Sequence, residues 1–486
     1  MRVQSATTTI TYAVTVAGGA FAPGHLGELT QYLPFELVDE VLAQTKTVQR
    51  RLRLLPSRAG VYFVLALGMF PRLGYARVWA KLTAGLAGLE LACPSEKALR
   101  DLRRRLGPVP LKALFEVVAG PLAQPHTPGT RFAGLRTVAF DGLNSLKVPD
   151  TSRNRAWAGK IRHRLGMAGY PALRLMTLAE TGTRGLLGAT LGSRTDRDEA
   201  NLARRLLHLL GPGMLILLDR AFDAAAFPAA VDATGAALLA RSESSRKPLV
   251  PAHLPDGSYL SCLQGGLAVR IIEAEAAMAG ADGSRVADAC RLITTLTGHR
   301  RCPASALVRL CRERWEIESA YLALRHTLLD GRVLRSGDRP GVEQELWALL
   351  TVCQLLRMAM VTAVETRPGT NPDRASFTTA LEAARDQLTA ARGICPDGPA
   401  DVPGVTGRAV PATLLPARRP RCSARKVKCA TSATSPAPTA APATSPPSPP
   451  STSPSPPRRW TRPDASPGPA PTARPAPALS RQPAGS

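Results

Sequence analysis

The sequence lacks the residue spacings that disulfide scaffolds and zinc sites need. Its nine cysteines stand at 93, 262, 290, 302, 311, 353, 395, 422 and 429, with no Cys-x-x-Cys pair. An odd, irregular set of this kind implies reduced thiols in a cytoplasmic setting. Neither the cysteines nor the seven histidines fall at ligand intervals, which argues against zinc. The N-terminus has no charged segment leading into an apolar run and a small-residue cleavage site, so no signal peptide is expected. The longest uncharged apolar stretch, Ala59 to Phe70, is too short to span a bilayer, and no membrane partner is expected. Internal repeats are not apparent. Acidic residues are scarce: 37 Asp and Glu against 62 Lys and Arg leave a formal net charge of +25.

What is present is a long and basic chain. At 486 residues with 44% hydrophobic content, it can build two or three domains around a large core. A pI near 10.6 points to a polyanionic partner, either nucleic acid or an acidic membrane surface. Residues 412–486 hold eleven Lys and Arg against one Asp, which is +10, and the remainder still carries +15. A basic body says more about a partner than a basic tail does.

Pattern along the chain divides it into six stretches. Residues 1–24 read as a flexible N-terminus. Over 25–120 helical periodicity dominates: Leu33, Phe35, Leu37, Val38, Val41 and Leu42 form one apolar face, and a basic helix starting at Ser95 reaches Arg103, Arg104 and Arg105. Residues 130–240 alternate strands and helices, with strands expected at Arg136–Asp141, Ala172–Ala179, Gly185–Thr190, Met214–Leu218 and Ala236–Ala240. That alternation implies a mixed sheet covered by helices, an α+β or α/β architecture. Turns and short strands make 241–300 a β-rich insertion, and helical pattern returns over 301–395. From 396 the chain is expected to be a Pro/Ser/Ala/Arg-rich disordered tail, with 17 prolines in its last 56 residues. A native basic tail and a reading-frame shift in GC-rich DNA both explain it, and the abrupt change of composition favours the shift.

Three carboxylates carry the chemistry. Val138-Ala139-Phe140-Asp141 and Leu215-Ile216-Leu217-Leu218-Asp219 are apolar strand-like segments that each end in an aspartate. Glu318 sits in the basic, helix-forming run Arg314-Trp315-Glu316-Ile317-Glu318, where Cys311, Arg314, Glu318, Tyr321 and Arg325 share one helical face. Two-metal phosphoryl transfer needs hard, anionic oxygen ligands that converge on two cations about 4 Å apart. Taken singly each signal has a bland reading. Asp141-Gly142 also fits a turn, Asp219-Arg220 a surface ion pair, and Glu318 a solvated salt-bridge face.

As an ordered set these residues resemble the transposases of IS4-type insertion sequences. Asp219-Arg220-Ala221-Phe222 reproduces that family's Asp-Arg-x-Phe motif. Arg314, Glu318 and Arg325 fit its Tyr-x2-Arg-x3-Glu-x6-Lys/Arg helix signature, and Asp141 has its Asp-Gly context. The run Gly27-Glu28-Leu29-Thr30-Gln31-Tyr32-Leu33-Pro34 looks like its helical leader. The resemblance covers roughly residues 25–365. It implies a ribonuclease H-like core, an N-terminal DNA-binding domain, and a DDE triad of Asp141, Asp219 and Glu318 holding two Mg²⁺ ions, for which Mn²⁺ could substitute. It implies nicking at the element ends, a hairpin step and strand transfer into target DNA by a bacterial, nucleoid-associated homodimer. Arg314, Arg325 and Arg220 become DNA contacts, and Arg50, Arg51, Arg53, Arg103, Arg104 and Arg105 become candidates for reading the terminal repeats.

Two departures from the family pattern stand out. Cys311 occupies the tyrosine position, which removes a hydroxyl. The β-rich insertion contains no tryptophan, since the five lie at 79, 157, 315, 347 and 460, so the flipped-base role some relatives give to Trp is vacant or falls to a residue such as Tyr259. Two other readings stay open: a catalytically inactive DNA-binding remnant, and a hydrolytic nuclease of the same fold that does not join strands.

Overall fold

A computed structural model describes residues 24–416, except 52, 87–88, 164–165, 194, 197, 223–225, 243–248, 264, 280–284, 314–322 and 391–403. All of these belong to the first of two units, residues 1–424. The stretches 1–23 and 417–486 lie outside the described residues, and with them most of the expected tail.

The first hundred residues are helical, as their periodicity predicts. α1 (Phe35–Gln44), α2 (Ser57–Met69), α3 (Tyr75–Thr83), α4 (Glu96–Leu106) and α5 (Val109–Val118) follow in order. The local signals for α4 are complete. The Ser95 side chain accepts from the Ala98 N–H, Arg103, Arg104 and Arg105 fill the last turn against the helix dipole, and Gly107 ends the helix at φ 67°. α2 is apolar all round and almost wholly buried, because α10 (Arg339–Glu365) packs along it. Leucines of α2, α4 and α5 share one continuous core with α10 and α11 (Phe377–Thr389). The expected N-terminal helices are present, but their apolar core is not their own. α10 is long and apolar enough to cross a membrane, yet 89% of its most apolar window is buried inside the protein.

His25 illustrates how the leader is held. It is 1% exposed, its Nε2 donates to the Leu82 carbonyl at 2.8 Å, and its Nδ1 accepts from the Gly27 N–H at 3.2 Å. Burial holds its pKa below 6.5, because protonation would put a charge out of water and a second N–H against that of Gly27. The unfolded chain therefore takes up a proton near pH 6.5 that the folded chain refuses. Stability from neutral His25 is full above that pH and is lost as pH falls toward the folded pKa. Urea midpoints should drop between about pH 7 and pH 5.5, and a His25→Gln variant should lose that part of the slope.

Ten strands among the described residues form one mixed sheet. In chain order they are β1 (Arg131–Phe132), β2 (Leu135–Lys147), β5 (Ala172–Glu180), β6 (Leu186–Gly192), β7 (Met214–Leu218), β8 (Ala237–Ser242), β9 (Ala252–His253), β10 (Tyr259–Cys262), β11 (Ala268–Ala279) and β12 (Arg285–Thr294). Between β2 and β5 come α6 (Ser152–Ala158) and a separate hairpin of β3 (Arg162–His163) and β4 (Gly166–Met167). Spatial order is β6-β5-β2-β7-β8-β12-β11-β10-β9. β2, β5 and β6 are antiparallel neighbours, while β7 and β8 run parallel to β2. The expected β-rich insertion continues the same sheet, since β12 pairs with β8 at Thr294↔Leu239 through Arg291↔Ser242.

Helices cover both faces of the sheet. α7 (Glu199–Arg204) and α8 (Ala226–Asp232) pack on the face of Val138, Phe140, Ile216 and Leu218. α9 (Ala304–Glu313) packs on the opposite face, over Ala139, Leu215, Leu217 and Leu239. Residues 404–416 correct the expectation of a tail from 396. Gly404–Ala412 forms helix α12, with Val410 in the main core. Its first N–H groups, those of Val405 and Thr406, donate to the Glu28 carboxylate at 2.7 and 2.9 Å. Gly404, at φ 57°, has no Cβ to strike that carboxylate, which a side chain would meet at 2.7 Å. The partner of this helix end lies far back in the sequence, so nothing local could have announced it.

Candidate active site

Asp141 and Asp219 follow the paired segments of parallel strands β2 and β7. The register runs Arg136↔Met214 to Ala139↔Leu217, and each aspartate lies two residues beyond that last pair. Side chains alternate between faces along β2, so Asp141 shares the face of Ala139, the one α9 covers. Asp141 also lies between Ala139, in the α9 layer, and Leu143, in the α10 layer. It sits at the seam of the two helical layers.

The expectation that Asp141 ends a strand does not hold. β2 continues to Lys147, because antiparallel β5 pairs with it through Asp141↔Thr177 and beyond a register shift at Leu143/Leu146. Gly142 is therefore strand rather than turn. A Cβ there would meet the Glu199 carboxylate at 3.1 Å and Met176 at 3.3 Å, so the glycine answers a packing need on the α7 face. Asp141 is half-buried, with Oδ2 shut off from solvent. Asp219 does end its strand. Its Oδ1 accepts the Arg220 N–H at 2.7 Å and its carbonyl accepts the Phe222 N–H, which fixes the turn into the Asp-Arg-x-Phe segment. Arg220 is exposed beside it.

Arg314 and Glu318 lie outside the described residues, as does Tyr321. Among the described residues no three His, Cys, Asp or Glu side chains form a metal-holding group. Cys311 packs half-buried against the α9 apolar cluster. Sequence reasoning missed what anchors α9. The Asp256 Oδ2 accepts the Ala304 N–H at 3.0 Å at the start of the helix and pairs with Arg270, which is 0% exposed. Arg270 also donates to Ser258 Oγ at 2.7 Å and to the Cys302 carbonyl at 2.6 Å. The signal available was a lone arginine amid the apolar run of β11, between Val269 and Ile271.

The candidate DNA-contacting arginines divide. Arg50, Arg51, Arg53, Arg104 and Arg105 are exposed, and Arg105 ties α4 to the loop between α1 and α2 by donating to the Leu55 carbonyl at 2.6 Å. Partial burial, and then the charge of Arg53, hold the Arg105 pKa below the ordinary arginine value. Arg103 is corrected: it is 6% exposed and pairs with Glu345 of α10 at 3.1 Å. Its Nε donates to Gln344 Oε1 at 2.9 Å, and it also reaches Tyr75 and Ser336. The amphipathic phase of α4 aims it into the protein, so it is not a surface cation. Arg325 is half-buried in a π-helical turn, Ala323–Leu328. Tyr259, 9% exposed, donates to Glu273 Oε1 at 3.0 Å, and burial raises its pKa; it packs in β10, between β11 and β9.

Residues 23–116 match the family model described as insertion element 4 transposase N-terminal. The chain is 27% identical over 417 residues to the transposase InsG for insertion sequence element IS4 of Escherichia coli (strain K12), covering 83% of this chain and 92% of that protein. A solved piggyBac transposase synaptic complex with hairpin DNA matches at a TM-score of 0.40 and 11% identity, over 84% of this chain and 88% of that one. That likeness is too remote to bear on fold or activity. The family match and the long alignment fall where the sequence resemblance does, and the chain is similar to the IS4-type insertion-sequence transposases.

Proposed function

We propose that this chain is a DNA transposase that cuts at the ends of an insertion sequence and joins them to target DNA, with Asp141, Asp219 and Glu318 as its catalytic carboxylates. One observation supports the reading: β2 and β7 pair in parallel up to Ala139↔Leu217, and Asp141 and Asp219 each follow two residues later. Glu318 follows the end of α9 by five residues. The strand order supports a ribonuclease H-like core. Three antiparallel strands, β6-β5-β2, are followed by β7 and β8 parallel to the first of them.

The residues fit a hard divalent cation. Two carboxylates on adjacent strands are the oxygen donors Mg²⁺ prefers, and the half-buried setting of Asp141 leaves water few routes to compete. Asp141 and Asp219, with Glu318 as third ligand, would hold the pair of ions. Bound there, Mg²⁺ would supply Lewis-acid activation of the attacking oxygen and charge stabilisation at the leaving oxygen. The chain's own contribution is orientation. The Arg220 N–H holds the Asp219 carboxylate, and the exposed Arg220 guanidinium stands beside it as a phosphate contact. Arg314 and Arg325 take the same role, and a homodimer would bring two element ends together.

The test is incubation of the purified protein with labelled duplex carrying the flanking inverted repeats, in Mg²⁺ and in chelator. Hairpin and strand-transfer products that require Mg²⁺ are expected. Metal-dependent cutting without joining would replace the reading by a nuclease, and tight binding without cutting by an inactive remnant.

A further inference from the structure

A basic notch lies at the end of the strand that carries Asp141. It is open to solvent and lined by Leu146, Lys147, Arg325, Leu329, Gly331 and Arg332. Three of the six are cations and none is an acid. Lys147 is the last residue of β2, Arg325 belongs to the π-helical turn, and Arg332 follows in the loop. The Leu334 N–H donates to the Lys147 carbonyl at 3.0 Å, the Gly331 N–H to the Arg325 carbonyl at 2.7 Å, and the Arg332 N–H to the Leu329 carbonyl at 3.1 Å. Backbone hydrogen bonds thus hold all three cation-bearing segments, over a floor of buried Leu146 and Leu329.

Asp330, next to the notch in sequence, is paired first with Arg72 from the α2–α3 loop. That hydrogen bond, with the charges of Arg72, Arg332 and Arg385, holds its carboxyl below the usual range. Lys147 and Arg332 are exposed, and neither makes an ion pair among the described residues. Three cations held around one notch repel each other unless an anion occupies it.

We infer that Lys147, Arg325 and Arg332 form a clamp for one backbone phosphate of DNA, flanking the bond that reacts at Asp141. The notch is too small to enclose a nucleotide base, and its three cations suit a phosphodiester oxygen held by charge. Lys147 lies six residues beyond Asp141 on one strand, at most about 20 Å away, which corresponds to roughly six base pairs of duplex rise. The inference rests on the DNA-cutting role of Asp141, and it adds Lys147 and Arg332 to the contacts of that site.

Fluorescence anisotropy with a labelled duplex of mixed sequence, titrated over a salt series, tests it without any need for cleavage. For Lys147→Ala/Arg332→Ala the slope of log Kd against log salt should become shallower by about 0.9, one phosphate's worth, with weaker binding at every sequence. Lys147→Arg should keep the wild-type slope. Arg204→Ala, an exposed cation of α7 on the other face of the sheet, should keep it too. An unchanged slope in the double variant, with normal wild-type binding, overturns the clamp and leaves the DNA reading intact. An equal effect from Arg204→Ala also overturns it, because net charge would then be the cause. A wild-type protein that ignores the duplex sinks both.

Discussion

Asp219→Asn should abolish Mg²⁺-dependent cleavage of end-bearing DNA, by about a thousandfold or more, equivalent to about 4 kcal/mol in the barrier. The substitution is close to isosteric. Its Oδ1 can still accept the Arg220 N–H that orients the native carboxylate, so the turn into β7's following segment stays intact. What disappears is the negative charge that a divalent cation needs. Asp141→Asn and Glu318→Gln should cause losses of similar size. Combining Asp141→Asn with Asp219→Asn should add little, because residues acting as one unit are not additive. Thermal midpoints of the single variants should stay within a few degrees of wild type. Cleavage within tenfold of wild type in a folded Asp219→Asn protein would remove that residue from the catalytic set.

Arg103→Ala should destabilise the protein by about 3–5 kcal/mol, read as a large drop in the urea midpoint. The cause is the Glu345 carboxylate, 7% exposed, which would be left buried beside Ser336 without its guanidinium partner. Glu345→Ala should cost about as much for the mirror reason, and the double variant should cost less than the two singles added together. DNA affinity per folded molecule should not change. Arg50→Ala and Arg53→Ala, on exposed positions, should behave oppositely, weakening DNA binding with midpoints nearly unmoved. An Arg103→Ala protein as stable as wild type would mean that the buried pair does not hold α4 to α10.

These two predictions also show where the sequence was legible. Hydrophobic period located α1, α2, α4, α5 and α10, because burial of one apolar face is a local requirement written in the chain. The run Met214–Leu218 matched β7 residue for residue, since a fully buried strand has an unbroken apolar signature. At Asp141-Gly142 the local signal misled: Asp-Gly is a turn signal, and only pairing with β5 carries the strand on to Lys147. The basic end of α4 was read as three outward arginines, whereas helical phase turns Arg103 alone toward Glu345. α12 was read as tail because its cap, Glu28, lies near the other end of the folded chain.

By itself the sequence determined the chemistry on offer: an Asp-Arg-x-Phe segment, an Arg-x3-Glu-x6-Arg helix signature, and a body basic enough to hold a polyanion. Residue type and spacing along the chain are enough for that, because they set which groups exist and which share a helix face. Only the tertiary structure decided which groups meet. The parallel register of β2 and β7 is a contact between segments some eighty residues apart, and it pairs the strands that lead to Asp141 and Asp219. The convergence of Lys147 with Arg325 and Arg332 is of the same kind. Pairing across such separations is selected by burial of both strand faces at once, a property of the assembled sheet that no single segment carries.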